Sequence, residues 1–311
     1  MSSDGLGWKI FGGIVIVIVI FLVVLGVVYI YDFFKKKDKS DFIHYNTYFC
    51  DKEENVSICK IPKMTNIPPL TLTSEYDQAN AKTFAGAIHN LNKSTGMVVP
   101  FGATNMWFKF NSDYNDVPYG VAAVNESDII IIFRGVLNDN EKEIRKDTEQ
   151  IPFNSNSING ENKLMCHKGW LEEFNKFRDE LTTIVSSEAN KDLPVFITGY
   201  DMGSSYATFA TKLVLEISSR ERQVTSYTFG APRCVNKNFV DSIETYPNLI
   251  ANYRLVNLSD ENISYPGPVY STGSKGSELY DYSYVGNQII FDDNRESFKL
   301  NHSLESYYYN L

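Results

Sequence analysis

Val195-Phe-Ile-Thr-Gly-Tyr-Asp-Met-Gly-Ser204 is the stretch that decides the fold. Val195 to Thr198 carries no charge and reads as a short buried strand. Ser204 to Ile217 follows almost at once and reads as a helix. Between them, Gly199 and Gly203 stand two positions on either side of Asp201, the spacing of a tight strand–turn–helix elbow. In such an elbow the central side chain is held in a strained turn above the sheet edge. Small residues flank it because strand and helix come close there. G-x-D-x-G alone also describes a plain turn, so the strand before it and the helix after it give the motif its weight.

Working outward, Ala79 to Leu91 suits an amphipathic helix. Tyr119–Val124 and Ile129–Phe133 read as a β-hairpin across the polar turn Asn125-Glu-Ser-Asp128. Leu171, Phe174, Phe177, Leu181 and Ile184 recur at helical spacing and predict one helix over Trp170–Ala189. Ser226–Phe229 and Tyr253–Val256 read as further strands. Strands separated by helices imply a mostly parallel sheet with right-handed crossovers. A hydrophobic fraction of 43% over 311 residues supplies a core for such a domain.

Upstream, residues 10–31 contain no charged side chain, and about 20 such residues span a hydrocarbon core of about 30 Å. Trp8 lies at one end and Tyr29 and Tyr31 at the other, as interfacial aromatics do. A cleaved signal peptide would have a shorter apolar region and a small-residue cleavage site. The expected organisation is therefore a short tail (1–9), a transmembrane helix (10–31), a juxtamembrane segment (32–73) and an α/β domain (74–311). Lys35, Lys36, Lys37 and Lys39 follow the apolar run, and the positive-inside rule places them, and the domain after them, in the cytoplasm. N-x-S sequences such as Asn55-Val-Ser57 and Asn125-Glu-Ser127 point the other way, but an Asn-rich chain yields them by chance.

The net charge of −9 argues against a nucleic-acid partner, which favours a basic face. Cys50 and Cys59 are close enough for a small disulfide loop, although four ordinary thiols (with Cys166 and Cys234) fit as well. No C-x2-C pair occurs and the four histidines are scattered, so neither a metal nor a cofactor is expected.

Seen together, the motifs from about residue 75 to the C-terminus resemble the class 3 (fungal-type) lipase family. Ile129-Ile-Ile-Ile-Phe-Arg-Gly135 is similar to the family's strand ending in F-R-G-[ST], with Ile144 and Asp147 at its W-x-x-D. His167-Lys-Gly-Trp170 resembles H-x-G-F, and Thr198-Gly-Tyr-Asp-Met-Gly-Ser204 stands at the T-G-H-S-L-G-G elbow. Tyr227-Thr-Phe-Gly-Ala-Pro-Arg233 with Asn236 is similar to Y-T-F-G-x-P-R and the Asn beyond it. Arg254-Leu-Val-Asn-Leu-Ser-Asp260 resembles R-V-V-N-x-x-D, and His302 with Tyr307 resembles the terminal H-x-x-x-x-Y.

The resemblance implies an α/β-hydrolase fold and a place for each member of a Ser-His-Asp triad. The acid falls at Asp260 and the base at His302, both present, whereas the serine falls at Asp201. The oxyanion hydroxyl falls at Val136, which offers only its backbone N–H; Met202 could give the second N–H. The elbow's usual His is Tyr200. A carboxylate at 201 has no proton for His302 to take, and its attack on an ester would yield a mixed anhydride with a poor alkoxide to expel. The expected serine-lipase activity is therefore absent. Ser204 and Ser205 lie on the helix's first turn and not at its apex. His167 is read as a hydrogen-bonding structural residue, and Asp139, Asp147 and Glu149 as a solvated, lid-like stretch too polar for a lipid-facing lid.

Two readings follow. In one, Asp201 pairs with His302, raises its pKa, and the fold serves as a membrane-tethered structural scaffold that binds lipid or protein. In the other, Asp201 is itself the nucleophile, as in the epoxide hydrolases, with His302 and Asp260 as base and orienter. The bilayer and a lipid-like acyl chain are the expected partners.

Overall fold

The computed structural model describes residues 61–62, 64, 67–93, 107–114, 116–154, 163–271 and 279–311. The expected span at 10–31, the lysines at 35–39 and the Cys50/Cys59 pair lie outside these residues. Among the described residues, no helix is long and apolar enough to cross a membrane.

The chain runs α1 (Gln78–Lys93), β1 (Trp107–Phe110), β2 (Gly120–Val124), β3 (Ile129–Phe133), α2 (Asp139–Ile144), β4 (Gln150–Pro152) and β5 (Met165–His167). It continues through α3 (Lys168–Asn175), α4 (Arg178–Ser186), β6 (Val195–Tyr200), α5 (Met202–Ile217), β7 (Val224–Phe229), α6 (Lys237–Glu244) and β8 (Leu249–Asn257). A 3-10 turn (Glu261–Ser264), β9 (Val269–Ser271), β10 (Leu279–Asp281), β11 (Asn287–Phe291), α7 (Phe298–Asn301) and α8 (Leu304–Tyr309) complete it.

One sheet of order β1-β2-β3-β6-β7-β8-β11 organises the rest. The hairpin expected between β2 and β3 is present and antiparallel, and β3, β6, β7, β8 and β11 run parallel. This is the mixed, helix-flanked sheet of an α/β-hydrolase. The central parallel strands β3, β6 and β7 are buried on both faces, which explains why β3 and β6 are apolar runs without polar alternation. In β3, Ile129, Ile131 and Phe133 face the core built with α3, α4 and α5. Ile130 and Ile132 face a second core against Phe84, Ala85 and Ile88 of α1 and Tyr307 of α8. The chain before residue 74 also contributes: Ile61 is buried in that second core, and Asn90 of α1 holds both the N–H and the carbonyl of Met64.

The single helix predicted over 170–189 is two. Its apolar positions are buried as their spacing requires, but the helix breaks at Phe177, which leaves helical geometry at φ −121°. The Phe177 ring stacks on Phe110 at 5.0 Å and packs against Phe133, Phe174 and Tyr206. The break lets Phe177 reach this cluster, and Arg178 restarts the helix with its guanidinium over the Phe153 ring and a hydrogen bond to the Phe153 carbonyl. Cys166 and Cys234 are buried free thiols.

The segment after β3 is clamped. Arg134 donates through Nη1 and Nη2 to the two carboxylate oxygens of Glu141 at 2.8 and 2.7 Å, and both side chains are fully buried. Arg134 also donates to the carbonyls of Val117, Pro118 and Gly135, while Glu141 accepts from the Leu137 N–H and the Ser112 hydroxyl. At the other end of α2, Arg145 donates to Asn262 Oδ1 at 2.9 Å and lies over the Tyr265 ring. Asp139, Asp147 and Glu149 reach solvent as expected, but α2, which carries Asp139, is strapped to the domain from beneath. Removing one partner of such a buried pair leaves an uncompensated charge. Glu141→Ala is therefore expected to cost about 3–5 kcal/mol of unfolding free energy, read by denaturant unfolding.

Candidate active site

Asp201 occupies the turn between β6 and α5 at φ 53°, ψ −125°, a positive φ that residues with a Cβ rarely adopt. Holding it there costs about 1–3 kcal/mol, and the surroundings must impose it. They do so by backbone contact. A Cβ on Gly199 would meet the Gly203 carbonyl oxygen at 2.1 Å, and one on Gly203 would meet the Arg134 carbonyl oxygen at 2.2 Å. The start of α5 is thus pressed between the ends of β6 and β3. The Asp201 N–H donates to the Phe229 carbonyl at 3.0 Å, fixing the turn to β7 as well.

The other two residues expected at the site converge on Asp201. His302 presents Nε2 to Asp201 Oδ1 at 3.4 Å and Nδ1 to Asp260 Oδ2 at 2.7 Å. Asp260 is fully buried and its oxygens are fully occupied: Oδ2 also accepts from the Tyr307 hydroxyl at 2.6 Å, and Oδ1 from the Asn262 N–H at 2.9 Å. The second oxygen of Asp201, Oδ2, accepts the Val136 N–H at 3.3 Å. Met202 stands at the first position of α5 with its side chain in the core. The side chains of Asp201 and His302 keep 18% and 13% exposure, so the pair is half-buried and reached by water.

These contacts set the charges. Burial alone pushes His302 down, but the Asp201 charge, its hydrogen bond and those of Asp260 outweigh it and raise the imidazole from 6.5 to about 9. Burial works to raise the Asp201 carboxyl; the His302 charge and hydrogen bond, then Arg145 and the Val136 N–H, hold it below the usual carboxylate range. The site at neutral pH is an imidazolium between two carboxylates.

The remaining candidates take structural places. The Ser204 hydroxyl is fully buried within hydrogen-bond distance of the Gly199 and Phe229 carbonyls, at 2.9 and 3.0 Å, and Ser205 is fully buried too. His167 caps α3, accepting the Trp170 N–H at Nδ1, which leaves Nε2–H for the Arg145 carbonyl at 3.2 Å. Burial drives its pKa down to about 3, so it stays neutral.

Two further side chains have structural parts that their positions in sequence did not disclose. The Tyr200 ring stacks on His302 at 5.1 Å, and its hydroxyl donates to the His302 carbonyl. Asn257 ties together the loops that carry Asp260 and His302, donating to the carbonyls of Asp293 at 3.0 Å and Asn301 at 2.8 Å. A departure from the family pattern marked Tyr200, and the R-V-V-N-x-x-D match contained Asn257, but neither showed what it holds.

A half-buried acid–base pair beneath a strand–turn–helix elbow is the frame of an α/β-hydrolase site. The family model of class 3 lipases matches residues 130–267. The chloroplastic phospholipase A(1) DAD1 of Arabidopsis thaliana is 26% identical over 162 residues, which is 48% of this chain and 36% of that protein. The chain thus spans little more than a third of the length of that curated relative. The solved triacylglyceride lipase of Rhizomucor miehei is 20% identical with a TM-score of 0.43, over 57% of this chain and 63% of that one. The lipase of Rhizopus microsporus var. chinensis is 19% identical with a TM-score of 0.44, over 56% and 57%. Over residues 130–267 the chain is similar to the class 3 lipases.

The raised His302 pKa has a direct consequence. The stabilisation of its charged form is fully present below the unfolded value of 6.5 and is lost as pH rises through about 9. Stability of the domain is expected to fall over that window. Asp201→Asn removes the carboxylate that raises His302 most, so an NMR titration of His302 is expected to move down from about 9 and the alkaline loss of stability to shrink.

Proposed function

We propose that this chain is a single-pass, membrane-anchored member of the class 3 lipase family that is inactive as a serine lipase and serves as a structural scaffold binding lipid or protein. One observation carries the reading: the Asp201 carboxylate lies in both places that ester hydrolysis needs free. Oδ1 sits on His302 Nε2, where a serine hydroxyl would give up its proton, and Oδ2 sits on the Val136 N–H, where an acyl oxyanion would be held. An imidazolium in this setting is not a base, and a carboxylate has no proton to hand it.

The apolar run 10–31 supports the anchor, and the lysines at 35–39 support a cytoplasmic domain. The curated relative and solved structures are named for phospholipid and triacylglycerol hydrolysis, which supports an acyl-chain lipid as the class of ligand.

A second reading has its own supporting observation. An ionised carboxylate with one oxygen on a backbone N–H is also arranged to attack an sp³ carbon: that N–H would hold the oxyanion when water later attacks the alkyl ester on Asp201. Intact-protein mass spectrometry with an epoxide and with a panel of fatty-acyl esters separates the two. The wild type is expected to take up neither. Asp201→Ser is expected to be acylated by the esters, since loss of a hydrolase nucleophile costs about 10⁶ in kcat. Its turnover would stay about 10²–10³ below that of a complete site, because Val136 lacks the oxyanion hydroxyl. An epoxide adduct on wild-type Asp201 would sink the inactive reading in favour of the second.

A further inference from the structure

Two N-x-S sequences lie where no glycan fits. Asn257-Leu-Ser259 closes β8, and Asn301-His-Ser303 joins α7 to α8. N-x-S is the acceptor of N-glycosylation, and in a secreted chain it marks a surface loop, because a bulky sugar is attached to the side-chain amide nitrogen. Here both amides are interior. Asn257 is fully buried, with Nδ2 bonded to the Asp293 and Asn301 carbonyls and 3.3 Å from Ser306 Oγ. Asn301 is 8% exposed, and its Nδ2 donates to the Ser259 carbonyl at 3.0 Å.

Their carbonyl ends are occupied too. Asn257 Oδ1 accepts the N–H groups of Asp293 at 2.9 Å and Ser259 at 3.3 Å, and Asn301 Oδ1 accepts that of Arg295 at 2.7 Å. Together these bonds lace the turn leading into Asp260, the 292–297 loop and the helix end bearing His302. A sugar on either nitrogen replaces an interior N–H and forces the three segments apart. Asn125-Glu-Ser127 differs: it sits on the β2–β3 turn, where Glu126 and Ser127 are exposed.

We propose that the α/β domain matures on the side of the membrane without N-glycosylation, the cytoplasmic side, because Asn257 and Asn301 make its fold incompatible with the lumenal one. The inference rests on the membrane-anchored reading for the barrier itself, while the buried amides are independent of the lysines at 35–39 that suggest the orientation.

The test is cell-free translation of the full chain, with an epitope tag after Leu311, into endoplasmic-reticulum microsomes. Added protease is expected to remove the tag from intact vesicles, with no endoglycosidase-sensitive shift in mobility. A protected tag on a folded domain overturns the inference. Alkaline extraction reads the anchor separately: an extractable chain without glycan defeats the tether but supports the non-glycosylated side. A second variant keeps the incompatibility itself open to failure. Lys35, Lys36, Lys37 and Lys39 are changed to Glu, with lysines added before Trp8, to turn the domain into the lumen. That chain is expected to carry glycan at Asn257 or Asn301, to aggregate, and to regain solubility when a competing acceptor tripeptide blocks glycosylation. Glycan at both positions on a chain as soluble and protease-resistant as the unmodified one would overturn the argument.

Discussion

Everything near the site depends on one close approach, the contact of the α5 N-terminus with the ends of β6 and β3. Two glycines permit it, and no other residue fits at either place without moving backbone. Because Gly203 lies against the Arg134 carbonyl, the end of β3 has a fixed distance from residue 201, and the Val136 N–H two residues on falls within reach of the Asp201 carboxylate. The same Arg134 reaches through the buried interior to Glu141 and so sets where α2 begins. A single backbone contact thereby fixes the strained residue, the donor that faces it and the strap beside it.

The charges are arranged on that frame. A carboxylate at 201 adds a negative group beside the His302–Asp260 pair, and the site absorbs it by keeping His302 protonated and giving every oxygen a partner. Asp260 takes Tyr307, Asn262 and His302; Asp201 takes His302 and Val136. Buried ion pairs are weak evidence of net stability, since desolvation offsets much of the attraction. Their effect here is geometric: Tyr200 and Asp260 hold the His302 ring from two sides while Asp201 holds its far nitrogen.

What the sequence disclosed follows from how local each feature is. The elbow, the hairpin and the order of strands and helices were legible because glycine spacing and apolar runs are written within a few residues of each other. Asp260 and His302 were legible through resemblance, and their distance from Asp201 could come only from the fold. The break at Phe177 was not legible, because its cause is a stack on Phe110 from the far edge strand. Glu141 sits in Asp139-Asn-Glu-Lys-Glu-Ile144, a run that reads as solvated on both sides, and only the Arg134 guanidinium makes one of its acids interior. The edge strand β11 escaped notice because Asn287 and Gln288 lie in solvent, leaving a short apolar signal in Ile289–Phe291.

The identity of residue 201 can be weighed against the alternatives that the same turn would accept. Alanine would leave the Val136 N–H without its carboxylate acceptor in a half-buried site, and an unmatched polar group there costs about 1–3 kcal/mol. Serine places one oxygen near His302 and leaves the Val136 donor open, which is the arrangement that an incoming acyl group completes. Aspartate supplies both oxygens at once from the same Cβ. It keeps the elbow, the acid–base pair and the supporting hydrogen bonds together while filling the space that a tetrahedral oxyanion would take. The geometry of the acid–base pair is thus kept whole, with the Asp201 charge on the far nitrogen of His302 and Asp260 on the near one.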